Sequence, residues 1–305
     1  MKHVVSVSLG SRKGDFTREI VIDGAVISLE RRGVDGDYDR AMQMVHELDG
    51  NVDAIGLGGI DITIWVAGKP FTVGDGRRLA DAAHITPVVD GSGLKNTLER
   101  QVVGDLASQG RIKPESRVLM VSAMDRFGMA EAFVALGCPC VFGDLIFNIG
   151  LDFALTSLPE LDQLAEKYRK RLLTVPFRML YPTGAAQDEK LADARFARYY
   201  EEADIIAGDG HLILRHMPEF LPNKGVLTTT TRPHTLQRYI DAGVDWVATS
   251  TPDLGGVSSG TNLMEATLVA LIGKPPHEIT HAEYLDWIHR LGWRASLAFI
   301  RGENT

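Results

Sequence analysis

The stretch SRVLMVSAMDRFGMAEAFVALGCPCVFGD, Ser116 to Asp144, decides how this chain is read. Arg117 to Val121 is a short, apolar run rich in β-formers. A loop with Gly128 follows, then the helical run Met129 to Leu136, which Gly137 stops. Cys138 to Phe142 is a second apolar run, and Asp144 comes just after it. Strand, loop, helix, strand, acid is the order of a dinucleotide-binding βαβ unit, with the acid roughly 20 residues past the loop, where a ribose-binding carboxylate belongs. The loop departs from that pattern. Ser122 and Met124 stand where the first two glycines belong, and Asp125 then sets a carboxylate against a pyrophosphate. The architecture is better marked than the cofactor.

Outward from this unit the alternation of strand and helix is regular. Strands are expected at 117–121, 138–142, 173–180, 204–207, 225–229 and 245–249, with helical patterns at about 128–136, 158–171, 188–202, 214–220 and 233–242. Six such strands make a complete doubly wound parallel sheet. Upstream lies a smaller α/β unit. Residues 3–9 are its first strand, and Asp23-Gly24 is a hairpin signal, because both residues tolerate positive φ. A short helix at 39–48, a strand at 52–57, a second hairpin at 62–66 and 71–73, a helix at 76–83, a strand at 86–89 and a helix at about 94–108 complete it. The fold class is therefore α/β, a Rossmann-like sheet plus a smaller N-terminal domain. Residues 1–112 form the N-terminal domain and 113–257 the Rossmann-like domain. The helices of 258–305 cannot extend a finished sheet and are expected to return to the first domain.

Composition bounds the function. The chain has 305 residues and a net charge of −8. Nucleic-acid binding is disfavoured, since it needs clustered Lys and Arg. The run Lys167 to Arg171 reads as a solvated helix face. No apolar run reaches the ~18 residues of a membrane span, and the N-terminus lacks a signal-peptide core, so a cytoplasmic protein without membrane contact is expected. Cys138 and Cys140 share one strand face and read as two reduced, buried thiols. The histidines show no metal-ligand spacing, so no metal is expected.

In open parallel sheets ligands bind beyond the carboxyl ends of the strands. That rule selects Ser122, Asp125 and Arg126 after the first strand, Asp144 after the second, His211 after the fourth, Thr229 and Arg232 after the fifth, and Thr251 and Asp253 after the sixth. Gly128 offers helix amides to a phosphate, Arg126 a cation, and Asp125 is either a repulsive carboxylate or the cap of the helix. Asp144 is either a ribose acceptor or a strand-end turn residue. As an acceptor it favours NAD over NADP. In the first domain, VVDGSGLKNTLER (Val88 to Arg100) crowds Asp90, Ser92, Lys95, Asn96 and Thr97 into one turn. A Lys with a nearby Asp serves as a proton shuttle for an alcohol–ketone pair; the bland alternative is a capped helix start with Lys95 in solvent. The loop Gly56 to Asp61 also follows an apolar strand and could shape the same pocket. DLGGVSSGTN (Asp253 to Asn262) opens a helix and either cradles a phosphate or covers a nicotinamide, or is a connector with Thr261 or Asn262 as N-cap and Glu265 closing a box with Asn262.

With a small α/β domain first, a six-stranded nucleotide-type domain next and helices returning, the chain resembles the shikimate/quinate dehydrogenase group, and through the blocks AIGLGGID (Ala54 to Asp61), TPVVDGSGLKNTLER (Thr86 to Arg100), DRFGMAEA (Asp125 to Ala132) and TSTPDLGG (Thr249 to Gly256) it is similar to bacterial proteins called quinate 5-dehydrogenases. The resemblance implies an NAD(P)-dependent oxidoreductase acting on a small polyol or hydroxy acid, with Lys95 as the catalytic lysine. The family's aspartate follows an Asn-Thr pair; here Leu98-Glu99 follow Asn96-Thr97, so Asp90 would have to substitute. A looser likeness is to acyl-carrier-protein reductases, whose thioester chemistry would ask Cys140 to leave its strand. The expected roles are Lys95 and Asp90 for the proton; Ser122, Asp125, Arg126, Gly128, Asp144, Thr229 and Thr251 for the cofactor; and Ser92, Asn96, Thr97, His211 and Asp253 for the substrate. The expected partner is a small molecule, and a homodimer is an open expectation. The alternative is a non-redox enzyme or ligand-binding protein on the same frame, which the altered loop favours. Lys95→Ala is expected to abolish turnover with the fold intact.

Overall fold

The computed structural model describes residues 1–172, 174, 191, 193–253 and 259–302. The strand expected at 173–180, the start of the helix expected at 188–202, and the centre of the Asp253 to Asn262 loop lie outside the described residues.

The first half begins with β1 (Lys2–Ser8), β2 (Phe16–Ile22), β3 (Ala25–Gly33), α1 (Tyr38–Leu48), β4 (Ala54–Gly58), β5 (Thr63–Val66) and β6 (Lys69–Thr72). It continues with α2 (Gly74–Ala80), β7 (Val88–Val89), α3 (Ser92–Asn96) and α4 (Leu98–Ser108). Its five-stranded sheet has the order β2-β3-β1-β4-β7, parallel except for β2 on β3. The Asp23-Gly24 signal holds: both residues have positive φ, 51° and 76°, and close the β2–β3 hairpin. The expected continuous helix at 94–108 breaks at Thr97 (φ −119°, ψ −74°), which separates α3 from α4. Asp37 caps α1 through the Arg40 amide, and Ala41, Met44, Val45 and Leu48 give it one buried stripe at helical spacing.

The second half comprises β8 (Val118–Met120), α5 (Phe127–Ala135), β9 (Cys140–Phe142), α6 (Asp144–Ile149), α7 (Leu158–Leu172), α8 (Ala194–Glu202), β10 (Ile205–Gly208), α9 (Gly210–His216), β11 (Gly225–Thr228), α10 (Pro233–Ala242) and β12 (Trp246–Thr249). Then come α11 (Thr261–Ile272), α12 (His281–Arg290) and β13 (Ser296–Ile300). The second sheet has six strands in the order β13-β12-β11-β10-β8-β9. Five run parallel, as the alternation of short apolar runs and helices requires. The sixth corrects the reading of the C-terminus. Helices α11 and α12 do return to the first half, α11 packing on β4 and β1 and α12 on α3. The chain then crosses back, and β13 pairs antiparallel with β12 as an edge strand. An antiparallel edge on a parallel sheet needs no crossover helix, so a five-residue tail suffices.

The strands alternate faces with period two. Val118 and Met120 face one core, Leu119 and Val121 the other. The first of these cores is continuous across both halves, from Val4 and Ile27 through Leu98, Val102 and Leu106 to Phe133, Ala207 and Ala248. A second attachment runs through α7, where Lys69 binds Asp162 at 2.9 Å and the Arg169 guanidinium lies 5.0 Å from the Phe71 ring centre. The two halves thus join through continuous apolar packing and the α7 contacts. No helix of the described residues is long and apolar enough to cross a membrane.

Candidate functional site

The junction between the halves carries a buried cluster of charges. Lys95, at the end of α3, is 7% exposed, and its Nζ donates to Asp61 Oδ1 at 2.6 Å and to Asp125 Oδ1 at 2.5 Å. Asp61 follows β4, and Asp125 lies between β8 and α5. The sequence therefore places a cation from one helix between carboxylates from two strand-end loops. Sequence reasoning placed Asp61 only at the end of a loop that could shape the same pocket and missed it as the partner of Lys95. Its signal was present in AIGLGGID, where an acid ends the loop after an apolar strand. Only the fold shows that its carboxylate bonds Lys95.

Burial penalises each charge, and the neighbours decide the outcome. For Lys95 the charges of Asp125 and Asp61 outweigh burial and hold the ammonium protonated well above its ordinary range. For Asp61 burial dominates, Asp125 adds to it, and Lys95 only partly offsets them, so its carboxyl is pushed up to about 7. Burial also works against Asp125, but Lys95 and then Arg126 outweigh it and keep that carboxylate ionised. Two carboxylates around one ammonium cannot both ionise cheaply, and the more enclosed one keeps the proton. Behind them Arg126, 4% exposed, is paired with Glu99, which is fully buried and also accepts from Ser250 Oγ at 3.3 Å.

Asp90 is not the partner of Lys95. Its Oδ2 accepts from the Ile62 and Thr63 amides (2.5 and 3.0 Å) and its Oδ1 from the Ser92 amide (2.9 Å). It ties the loop that carries Asp61 to the start of α3, a positioning task. Asn96 and Thr97 are occupied within the same turn, donating to the carbonyls of Ser92 and Gly93. Thr97 and Thr251 are buried, and Thr251 donates to the Thr229 carbonyl at 2.8 Å. Ser122 is buried with its Oγ 3.4 Å from the Asp209 amide. The Thr229 hydroxyl is buried with no hydrogen-bond partner among the described residues. His211, in the first turn of α9, and Asp253 are exposed. The expected box at the start of α11 does not form. Asn262 donates to Ser6 Oγ instead, and Glu265 accepts from the Gly93 amide and Tyr284 hydroxyl.

The loop after β8 does not fit a pyrophosphate. The amides of Ala123 and Met124 already donate to Asp144 Oδ2 and Oδ1, at 3.0 and 2.9 Å. Asp144 is 5% exposed, so it holds the loop from inside rather than facing a ribose. Burial pushes its carboxyl up to about 6 despite those two amides. Gly128 is buried against α3: a Cβ there would lie 2.8 Å from the Lys95 carbonyl oxygen. The glycine serves close packing of the halves, not phosphate approach. Asp125 leaves the start of α5 uncapped, and Arg126 is committed to Glu99. Cys138 and Cys140 are free and buried, and burial pushes the Cys140 thiol up to about 12, which removes it as a nucleophile.

Two surface depressions, of about 380 and 460 Å³, are lined by Gly74, Asp75, Arg78 and Thr174 and by Asp39, Met42, Gln43, His46, Ala82 and His84. Neither touches Asp90, Lys95, Asp125, Asp144, His211 or Asp253, which were expected to handle the proton, the cofactor or the substrate.

Three solved structures illustrate what the chain is similar to. An ABC transporter solute-binding protein from Burkholderia multivorans matches 98% of this chain and 99% of its own, at 13% identity and a TM-score of 0.38. The NAD-dependent malic enzyme of Thermotoga maritima matches over 83% and 66%, at 14% identity and a TM-score of 0.32. A dipicolinate synthase subunit from Bacillus halodurans matches over 90% and 98%, at 13% identity and a TM-score of 0.31. At these scores the likenesses carry no argument about chemistry, and none of the three is a shikimate or quinate dehydrogenase. No curated protein matches the sequence. Two family models do. One, a domain of unknown function (DUF8753), covers residues 3–90 and so contains Asp61; the other covers residues 93–299 and contains Lys95 and Asp125. The chain belongs to the family of that second and longer match, the domain of unknown function DUF8754.

Proposed function

We propose that this protein is an enzyme of acid–base chemistry, acting without a dinucleotide on a small polar molecule that carries a carbonyl group. The observation that carries the reading is the buried Lys95 ammonium held between Asp61 and Asp125 where the two halves meet. The ammonium stays charged, so it is not the base. It donates to the carbonyl oxygen and stabilises the negative charge that develops there. Asp61, raised to about 7, is partly ionised at neutral pH, and in that form it takes a proton from the adjacent carbon and returns it. Asp125 is the most exposed of the three, its side chain at 19%, and its place on Lys95 is the one a substrate oxygen takes.

The test is solvent deuterium incorporation into a panel of small 2-oxo and 2-hydroxy acids, with calorimetric titration of NAD and NADP in parallel. Exchange should occur with the wild-type protein and fall ~10²–10⁴-fold in Lys95→Met and Asp61→Asn. The dinucleotides should give no binding heat. The competing reading is an NAD(P)-dependent oxidoreductase of a small polyol or hydroxy acid, which the two-part layout favours. Saturable NAD or NADP binding, or exchange undiminished in both variants, would overturn the proposal in favour of that reading or of a binding protein.

A further inference from the structure

At the edge of the same junction, two arginines from opposite halves converge on one turn. Arg31, in β3, donates to the Ser11 carbonyl at 3.0 Å, to Asp15 Oδ1 at 2.8 Å and to Ser8 Oγ at 2.9 Å. Arg232, at the N-cap of α10, lays its guanidinium against Gly14 so closely that a Cβ there would overlap it. The two like charges repel: the Arg31 guanidinium is disfavoured first by burial and next by Arg232. With Arg12 and Lys13 the turn gathers four cations against two carboxylates, Asp15 and Asp35, on a chain whose net charge is −8. Lys13 and Arg232 have no ion pair among the described residues. The patch lies at the same strand ends as the loop that carries Asp61. Ser8, which holds Arg31, would lie 2.9 Å from a Cβ on Gly58, three residues before Asp61.

We infer that Arg31 and Arg232 form an anion subsite that binds the carboxylate or phosphate of the substrate and orients its carbonyl toward Lys95. Planar guanidinium forks suit either group, and like charges held together are relieved by an anion between them. The assignment to a substrate rests on the proposed function; the anion subsite does not.

The experiment is thermal shift and calorimetry with inorganic phosphate and with malonate, against sodium chloride at matched ionic strength. Phosphate or malonate should bind saturably and raise the melting temperature beyond chloride. Phosphate alone assigns a phosphorylated substrate and malonate alone a carboxylate. Arg232→Ala, an exposed residue whose loss spares the fold, should weaken binding ~10–100-fold. Because Arg31 also ties down the turn, Arg31→Lys is the variant there, keeping charge and losing the fork. Lys95→Met should bind the anion as the wild type does, so a failed exchange assay leaves this result readable on its own. No effect beyond chloride, unchanged affinity in Arg232→Ala, or loss of binding in Lys95→Met would overturn the subsite.

Discussion

Lys95→Met is the perturbation that tests the centre of this structure. It removes the ammonium but keeps most of the apolar stem, so the change is chiefly electrostatic. Asp61 and Asp125 then face each other in a buried site with only Arg126, 4.0 Å from Asp125, to offset them. Removing one partner of a buried ion pair destabilises by about 3–5 kcal/mol, because the remaining charge is stranded. An unfolding entropy of ~2.1 cal/mol/K per residue gives ~0.6 kcal/mol/K for 305 residues, so the melting temperature should fall by about 5–8 °C. The fold itself should persist at that lower stability. The loss should depend on pH with a definite sign. In the wild type Asp125 has a lowered pKa, and its contribution is present above the unfolded carboxylate pKa and lost as pH falls through the lower folded value. In the variant burial raises both carboxyls, so the stability that their neutral forms contribute is present below pH ~4 and lost as pH rises and the buried groups must ionise. The gap between wild type and variant should widen from pH ~4 to pH ~7. Adding Asp125→Asn to Lys95→Met should recover a large part of it. Melts followed by circular dichroism at both pH values decide the matter. A variant within about 0.5 kcal/mol of wild type at neutral pH, the range of an ordinary surface substitution, would refute the buried triad.

Two further outcomes follow from the loop and its neighbours. Asp144 carries a carboxyl raised to about 6, so its contribution to stability is present below the unfolded pKa and lost as pH rises through about 6; Asp144→Asn should flatten stability between pH ~4 and pH ~7, measured by urea unfolding, and a slope unchanged from wild type would show that Asp144 is not the buried acceptor of the Ala123 and Met124 amides. Gly128→Ala drives a Cβ against the Lys95 carbonyl oxygen and should destabilise by about 1–3 kcal/mol, whereas a glycine kept only for phosphate approach would tolerate alanine in a helix.

The elements and the class of fold are written in the order of residues along the chain. Period-two burial, the Asp23-Gly24 turn and the helical stripe of α1 are local properties, set by backbone sterics and by side chains a few residues apart. The regular alternation after Ser116 then leaves little choice but a parallel sheet. The turn holding Lys95 was also marked, because polar residues crowd a strand-to-helix junction there. Partnership was not legible. Asp90 is five residues from Lys95 and Asp61 thirty-four, yet Asp61 makes the bond, because backbone amides near Asp90 claim its carboxylate first. Asp144 sits at the separation a ribose acceptor would have, and only the packing shows that it turns inward to the loop. The last strand was hidden for the same reason: Ser296–Ile300 is short and half-buried, with nothing local to name its partner. Hydrogen bonds and ion pairs form between groups that folding brings within ~3 Å, and that distance in space is independent of distance along the chain.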